Sequence, residues 1–305
     1  MKALVTGGAG FIGSNLAVKL AESGHDVVVL DDMYLGTREN LEGYEDKIQI
    51  IEGDVRDRET VREACEGVDV VFHDAARSSA PMHKDEPVEG TDVNVLGFIN
   101  VMEEARENDF NVVYASTSSM YGSVEPPHKE DSGEEPVNLY SASKMSRELY
   151  ATVYHRAYDI DVIGLRYFSV YGPREKAKGQ YANLISQFMW KMMDGERPEI
   201  WGDGSRTRDF TYVGDIVRGN IKAAESDVSG EVVNLGTGDE TRLDELVDML
   251  NEELETDIDP VHTEHPKKNK VMRTKADNSK AKELIGWEPQ INIEEGIKKT
   301  AEWYR

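Results

Sequence analysis

The feature that most constrains this chain is a short apolar run, Ala3-Leu4-Val5-Thr6, that enters a glycine loop, Gly7-Gly8-Ala9-Gly10-Phe11-Ile12-Gly13, and leaves it as a helical pattern over Ile12 to Ser23. Glycine turns tightly and lets a ligand approach the backbone, and the helix N-terminus behind it presents N–H groups to an anion. Further short, β-branched runs follow at Asp26 to Leu30, Ile48 to Ile51, Val68 to His73 and Asn111 to Ser116, with Asp161 to Arg166 as a sixth. Such runs suit strands buried on both faces. Helical patterns fit between them at Arg58 to Glu66, Val93 to Glu107 and Tyr140 to about Tyr158. The alternation predicts an α/β fold built on a doubly wound parallel sheet of the Rossmann type.

After Tyr167 the rhythm breaks at Gly172-Pro173, Gly195, Pro198 and Gly202-Asp203-Gly204. Leu243, Leu246, Val247, Leu250 and Leu254 then return at helical spacing. We expect a dinucleotide-binding domain over 1–166 plus about 210–237. A smaller C-terminal α/β substrate domain would comprise 167–209 plus 238–305. The formal charge of −24 over 305 residues argues against nucleic-acid binding, which needs a basic face. No apolar run is long enough to cross a bilayer, and the first residues read as a buried strand, not a signal peptide. Cys65 is the single cysteine, which fits a cytoplasmic setting and excludes a cysteine-based zinc site. The seven histidines are scattered, so no metal is expected.

Tyr140 and Lys144 are four residues apart on a predicted helix, so they share a face. A nearby ammonium favours the phenolate of a tyrosine whose ordinary pKa is about 10. A phenolate beside a nicotinamide can take the proton of a hydroxyl as hydride leaves the same carbon. Asp31 ends the second strand, where an acid bonds adenosine ribose hydroxyls and repels a 2′-phosphate. NAD is therefore expected over NADP, with Arg38 near enough in sequence to leave NADP open.

Together these motifs make the chain resemble the extended short-chain dehydrogenase/reductases of the nucleotide-sugar epimerase/dehydratase group, nearest the UDP-glucose (UDP-galactose) 4-epimerases. The matching pieces also include Leu30-Asp31-Asp32, Gly53-Asp54-Val55, Asn94, Ser116 to Gly122, Arg166 to Pro173 and Thr207-Arg208-Asp209-Phe210. Ala276 to Ala281 and Gly286-Trp287 complete them. The resemblance implies a catalytic set of Thr117, Tyr140 and Lys144. It implies an NAD site of Gly7, Gly10, Phe11, Ile12, Gly13, Asp31, Asp32, Gly36 and Thr37. Asp54 and Val55 would flank the adenine, and Ala75, Ala76, Arg77, Asn94, Ser116, Tyr140, Lys144 and Tyr167 would complete the site. Ser78, Thr117, Ser169, Asn183, Leu184, Trp201, Arg208 and Lys267 would meet the nucleotide sugar, with Arg208 on its diphosphate. The implied activity is inversion of carbon 4 of a UDP-hexose through a transient 4-keto sugar, by a homodimer.

Ser118 and Ser119 follow Thr117 where the family's dehydratases and decarboxylases carry acids, and a hydroxyl is a poor acid or base near neutrality. Three departures stand out. Asp74 occupies a position where relatives carry an apolar residue, Ser169 replaces an expected asparagine, and Lys267, Lys268 and Lys270 replace an arginine and an acid. Thr274 is small enough to admit an N-acetylated sugar, and uronate forms stay open. Alternatives are an epimerase of another sugar nucleotide such as ADP-heptose, a 4,6-dehydratase, or a non-catalytic nucleotide sensor.

Overall fold

In the computed structural model, which describes residues 1–264 and 271–305, seven parallel strands form one sheet. They are β1 (Lys2–Thr6), β2 (Asp26–Asp31), β3 (Ile48–Glu52), β4 (Val70–His73), β5 (Asn111–Thr117), β6 (Val162–Tyr167) and a seventh, Glu231–Leu235. The order is 3-2-1-4-5-6 with the seventh strand outside β6, so the direction in which successive strands are added reverses between β1 and β4. In open α/β sheets that switch point opens a crevice at the carboxyl ends of the strands. The strands follow their apolar β-branched runs because both faces are covered. On one side Leu16, Leu20, Ile216, Val217, Ile285 and Trp287 pack on the sheet. On the other, Val61, Phe98, Val101, Met102 and Tyr154 do so. A separate cluster, including Tyr171, Ile185, Phe188, Leu246, Leu250 and Ile297, gathers segments from 171 onward.

Two elements differ from the sequence reading. The seventh strand was not anticipated as a strand. Its register against β6, Glu231 with Ile163 through Leu235 with Tyr167, comes from pairing across more than sixty residues. The single helix expected over Val93 to Glu107 is instead a π-helical turn, Asp92–Leu96, followed by a helix at Gly97–Asn108. Such turns interrupt helices where a side chain must be redirected. Here the beneficiary is Asn94, which is fully buried.

Candidate active site

The crevice between β1 and β4 opens into a cleft of about 440 Å³. Its floor is the glycine loop. Gly7 sits at φ +69°, which favours glycine, and a Cβ on Gly13 would lie 2.2 Å from the Gly7 carbonyl oxygen. The loop therefore folds tightly beneath the Phe11–Glu22 helix, whose first turn faces the cleft as an anion site. Asp31 closes β2 and is held by N–H groups of Ala9 and Met33, both at 2.9 Å. Burial pushes its pKa up against those bonds. Each carboxylate oxygen keeps a lone pair for a further donor. Beside it the Arg77 guanidinium bonds Asp32 at 2.9 Å and stacks 3.8 Å over the Tyr34 ring. This cradle of tight glycines, helix N-terminus and terminal acid fits NAD.

At the other end β5 delivers Ser116 and Thr117, and the Leu139–Tyr158 helix delivers Tyr140 and Lys144. Asn138 caps that helix with the reciprocal Ser141 bonds of a capping box, which fixes where Tyr140 starts. Burial raises the Tyr140 pKa, while a hydrogen bond with Thr117 and the Arg147 charge lower it. Arg147, which the spacing argument passes over, is thus a further cation acting on Tyr140. Lys144 donates its Nζ to the Ala115 carbonyl at 3.0 Å, and burial pushes its pKa well below 10.5.

Most sequence candidates meet in this one cleft. Gly7, Gly10, Phe11, Ile12, Gly13, Asp31, Asp32, Gly36, Val55, Ala75, Ala76 and Arg77 line its cofactor half, and Ser116, Thr117, Tyr140, Lys144 and Tyr167 its centre. Ser78, Ser169, Asn183 and Arg208 line it too. Ser169 does so at φ +25°, a backbone conformation in which asparagine is more at ease than serine.

Five candidates do not line it, for visible reasons. Thr37 caps a 3₁₀ turn at Glu39. The Asp54 carboxylate is drawn onto Arg56, 2.5 Å away. Asn94 lies behind the wall, where it accepts from the Arg77 N–H at 2.9 Å and donates to Ser143 at 2.9 Å. It therefore ties the Arg77 loop to the catalytic helix without facing a ligand. Leu184 begins the Leu184–Met193 helix and packs on the third apolar cluster. Trp201 is 42% exposed and donates its indole N–H to Glu199. Lys267, with Lys268 and Lys270, lies outside the described residues.

Residues the sequence did not single out for this cleft include Tyr34, Lys178, Tyr181 and Val271. Only Lys178 carries a readable signal, a lysine in a segment next to a buried acid, Glu175, which it meets at 3.0 Å.

Arg208 is the strongest substrate-side feature. Its guanidinium donates to carbonyls of Thr207 and Val271 at 2.6 and 3.0 Å, and burial followed by the Arg206 charge pushes its pKa down to about 9. The acids that a salt bridge would have used are engaged elsewhere. Asp209 accepts from Thr237, Gly238 and Ala276, and Asp215 pairs with Arg218. A cleft-lining guanidinium held by neutral oxygens is set up to receive an anion. Arg208→Ala is expected to raise KM for the nucleotide sugar by roughly tenfold or more with a smaller change in kcat, as steady-state kinetics will read.

Among the described residues no cluster of His, Cys, Asp and Glu can hold a metal ion, and no helix is long and apolar enough to cross a membrane.

A profile of the NAD dependent epimerase/dehydratase family matches residues 3–236. A putative UDP-glucose 4-epimerase of Methanocaldococcus jannaschii is 39% identical over 308 residues, covering 99% of this chain and 98% of that one. A UDP-N-acetyl-alpha-D-glucosaminuronate decarboxylase of Bacillus cytotoxicus is 33% identical over 318 residues, covering 100% and 98%. Among solved structures, the UDP-glucose 4-epimerase of Thermotoga maritima with UDP-glucose superposes with a TM-score of 0.94 at 36% identity, covering 100% and 99%.

Proposed function

The chain belongs to the NAD dependent epimerase/dehydratase family, and we propose that within it the protein inverts carbon 4 of a UDP-hexose, with UDP-glucose and UDP-galactose as the first pair. It is an epimerase that uses NAD. The observation that supports carbon-4 chemistry is the pairing of Thr117 with Tyr140 at the cleft centre, followed by Ser118 and Ser119 instead of acids. Elimination and decarboxylation both draw on an acid or base at that place.

NAD, when bound, supplies the acceptor and donor of hydride and a positive charge that favours the phenolate. Tyr140 takes the proton of the sugar 4-hydroxyl, and Thr117 steadies that hydroxyl by hydrogen bonding. Lys144 and Arg147 supply the positive field around the phenolate. Arg208 holds the diphosphate while the flat 4-keto sugar turns its other face. Tyr140 then returns the proton, so the inverted alcohol forms with no net change in the protein.

In this reading the body formed by 1–166 and 210–237 holds NAD, and 167–209 with 238–305 holds the nucleotide. Thr274 lines the cleft, and its small side chain favours room for a 2-acetamido group. UDP-N-acetylhexosamines are therefore the second substrate class. The protein acts in the cytoplasm, where the buried Cys65 stays reduced.

We also propose a homodimer. Leu149 and Val153 on the Leu139–Tyr158 helix are 61% and 57% exposed, and Leu96 beside it is 43% exposed. Core packing does not account for them, and a second copy would bury them. Leu149→Glu with Val153→Glu is expected to halve the mass seen by sedimentation; an unchanged mass sinks the assignment. The test of the activity is incubation with UDP-glucose and no added cofactor, followed by proton NMR. UDP-galactose approaching one ratio from either side is expected, whereas a product that has lost water contradicts the reading.

A further inference from the structure

β2 and β4 flank β1 in the sheet, so their carboxyl ends stand roughly 10 Å apart, two strand spacings. One side chain spans that gap. Arg77, beyond the end of β4, reaches Asp32, which follows β2, through Nη1 at 2.9 Å. Its guanidinium carbon lies 3.8 Å from the centre of the Tyr34 ring, and Nη2 donates to Glu89 at 3.3 Å. Glu89 is held in turn by Arg56 at 2.6 Å, and Arg56 by Asp54 just past β3. An alternating chain of charges, Asp54–Arg56–Glu89–Arg77–Asp32, therefore ties the end of β3 to the end of β2 by way of the loop after β4. A dinucleotide with its ribose at Asp31 and its nicotinamide at Tyr140 must cross the line that Arg77 spans.

Arg77 is buried and lines the cleft on one side. On its other side lies a second hollow of about 440 Å³, lined by Tyr34, Arg77, Glu86, Pro87, Val88 and Glu89. Tyr34 and Arg77 line both spaces, so their stack is the partition between them. The Arg77 backbone is pinned at both ends of the residue: its N–H donates to Asn94 at 2.9 Å, and its carbonyl accepts from Asn94 at 3.3 Å. Any movement of the partition is thus a turn of the side chain. Its Nε is buried with no acceptor among the described residues, which leaves the grip to the two outer nitrogens. Partly exposed ion pairs hold weakly, and salt screens them. A guanidinium turned outward would meet Glu86 and Glu89 in the outer hollow, so opening does not strand a charge.

We propose that Arg77, stacked on Tyr34, is the gate through which NAD enters and leaves: closed, its span from Asp32 to Glu89 bars the dinucleotide's way out of the cleft, and open, it turns into the outer hollow. The inference concerns the cofactor alone and holds whichever sugar the site turns over.

A gate sets the rate of passage in both directions, not the affinity. Glu89 lines the outer hollow and not the cleft, so Glu89→Gln loosens the gate without touching the cofactor's walls. Holoenzyme is mixed with excess isotopically labelled NAD and exchange is followed by native mass spectrometry; NAD content at equilibrium over a dilution series gives the affinity. Glu89→Gln is expected to exchange NAD roughly fivefold faster, with affinity within about twofold of wild type and kcat unchanged. Arg77→Met, which loses both ion pairs, is expected to exchange roughly tenfold faster or more. Wild-type exchange should quicken several-fold between about 0.05 and 0.5 M NaCl, and that dependence should vanish in Arg77→Met. Wild-type exchange that ignores salt overturns the proposal, and that arm needs no variant to fold. Faster exchange of Glu89→Gln matched by an equal loss of affinity also overturns it, because the residue then stabilises bound NAD and gates nothing. Gated exchange without turnover of any UDP-sugar would instead count against the carbon-4 reading and leave the gate standing.

Discussion

Tyr140→Phe lowers kcat about 10²- to 10⁴-fold while the purified protein keeps its NAD, because the variant loses one proton-transfer group and nothing that holds the cofactor. The phenol touches the chemistry through its hydroxyl alone, which bonds Thr117. The ring stays packed edge-on to His83, so the helix start and its Asn138 cap are undisturbed. Single-turnover measurements with UDP-glucose check the rate, and the absorbance ratio at 260 and 280 nm checks the retained dinucleotide. Activity within about threefold of wild type would remove Tyr140 from its role.

The second large effect is expected at the glycine loop. A methyl group on Gly13 would stand 2.2 Å from the Gly7 carbonyl oxygen and 2.8 Å from the Gly8 Cα, both backbone atoms that cannot rotate aside. Gly13→Ala must therefore push the loop away from the helix. Overpacking of this kind costs about 1–3 kcal/mol and moves the N–H groups that would face a pyrophosphate. We expect protein that purifies without NAD and melts at a lower temperature. Full cofactor content with an unshifted melting curve would show that the loop is not the phosphate cradle.

Both predictions concern parts of the site that were legible in the sequence. The glycine loop, Asp31 and the Tyr140–Lys144 pair depend on local geometry: a strand end, a tight turn, a helical spacing of four. Their positions follow once the strand and helix patterns are recognised. What was not legible depends on partners distant in sequence. Spacing points to Lys144 as the cation near Tyr140, but it does not reveal that Arg147, fully buried on the same helix, adds a second one. Asp54 was placed near the adenine, and only the fold reveals that Arg56 and Glu89 form an ion-pair chain that draws it away. Asn94 resembled a cofactor residue, but the π-helical turn at Asp92–Leu96 aims it at the Arg77 backbone and Ser143. Trp201 carries no pattern that distinguishes a half-exposed ring from one packed on a base.

Asp74 shows the converse. As a departure from the resemblance it was a puzzle, since a buried acid needs a partner. Placed in the structure, it lines the catalytic cleft and accepts from the Tyr167 hydroxyl at 3.3 Å.

The most direct test of carbon-4 inversion is the fate of an isotope at that carbon. UDP-glucose carrying deuterium at C4 should give UDP-galactose that retains the label at C4 in ordinary water, with no cofactor added, because hydride leaves and returns within one closed site. Loss of the deuterium to solvent, or its migration to another carbon of the sugar, would contradict the account.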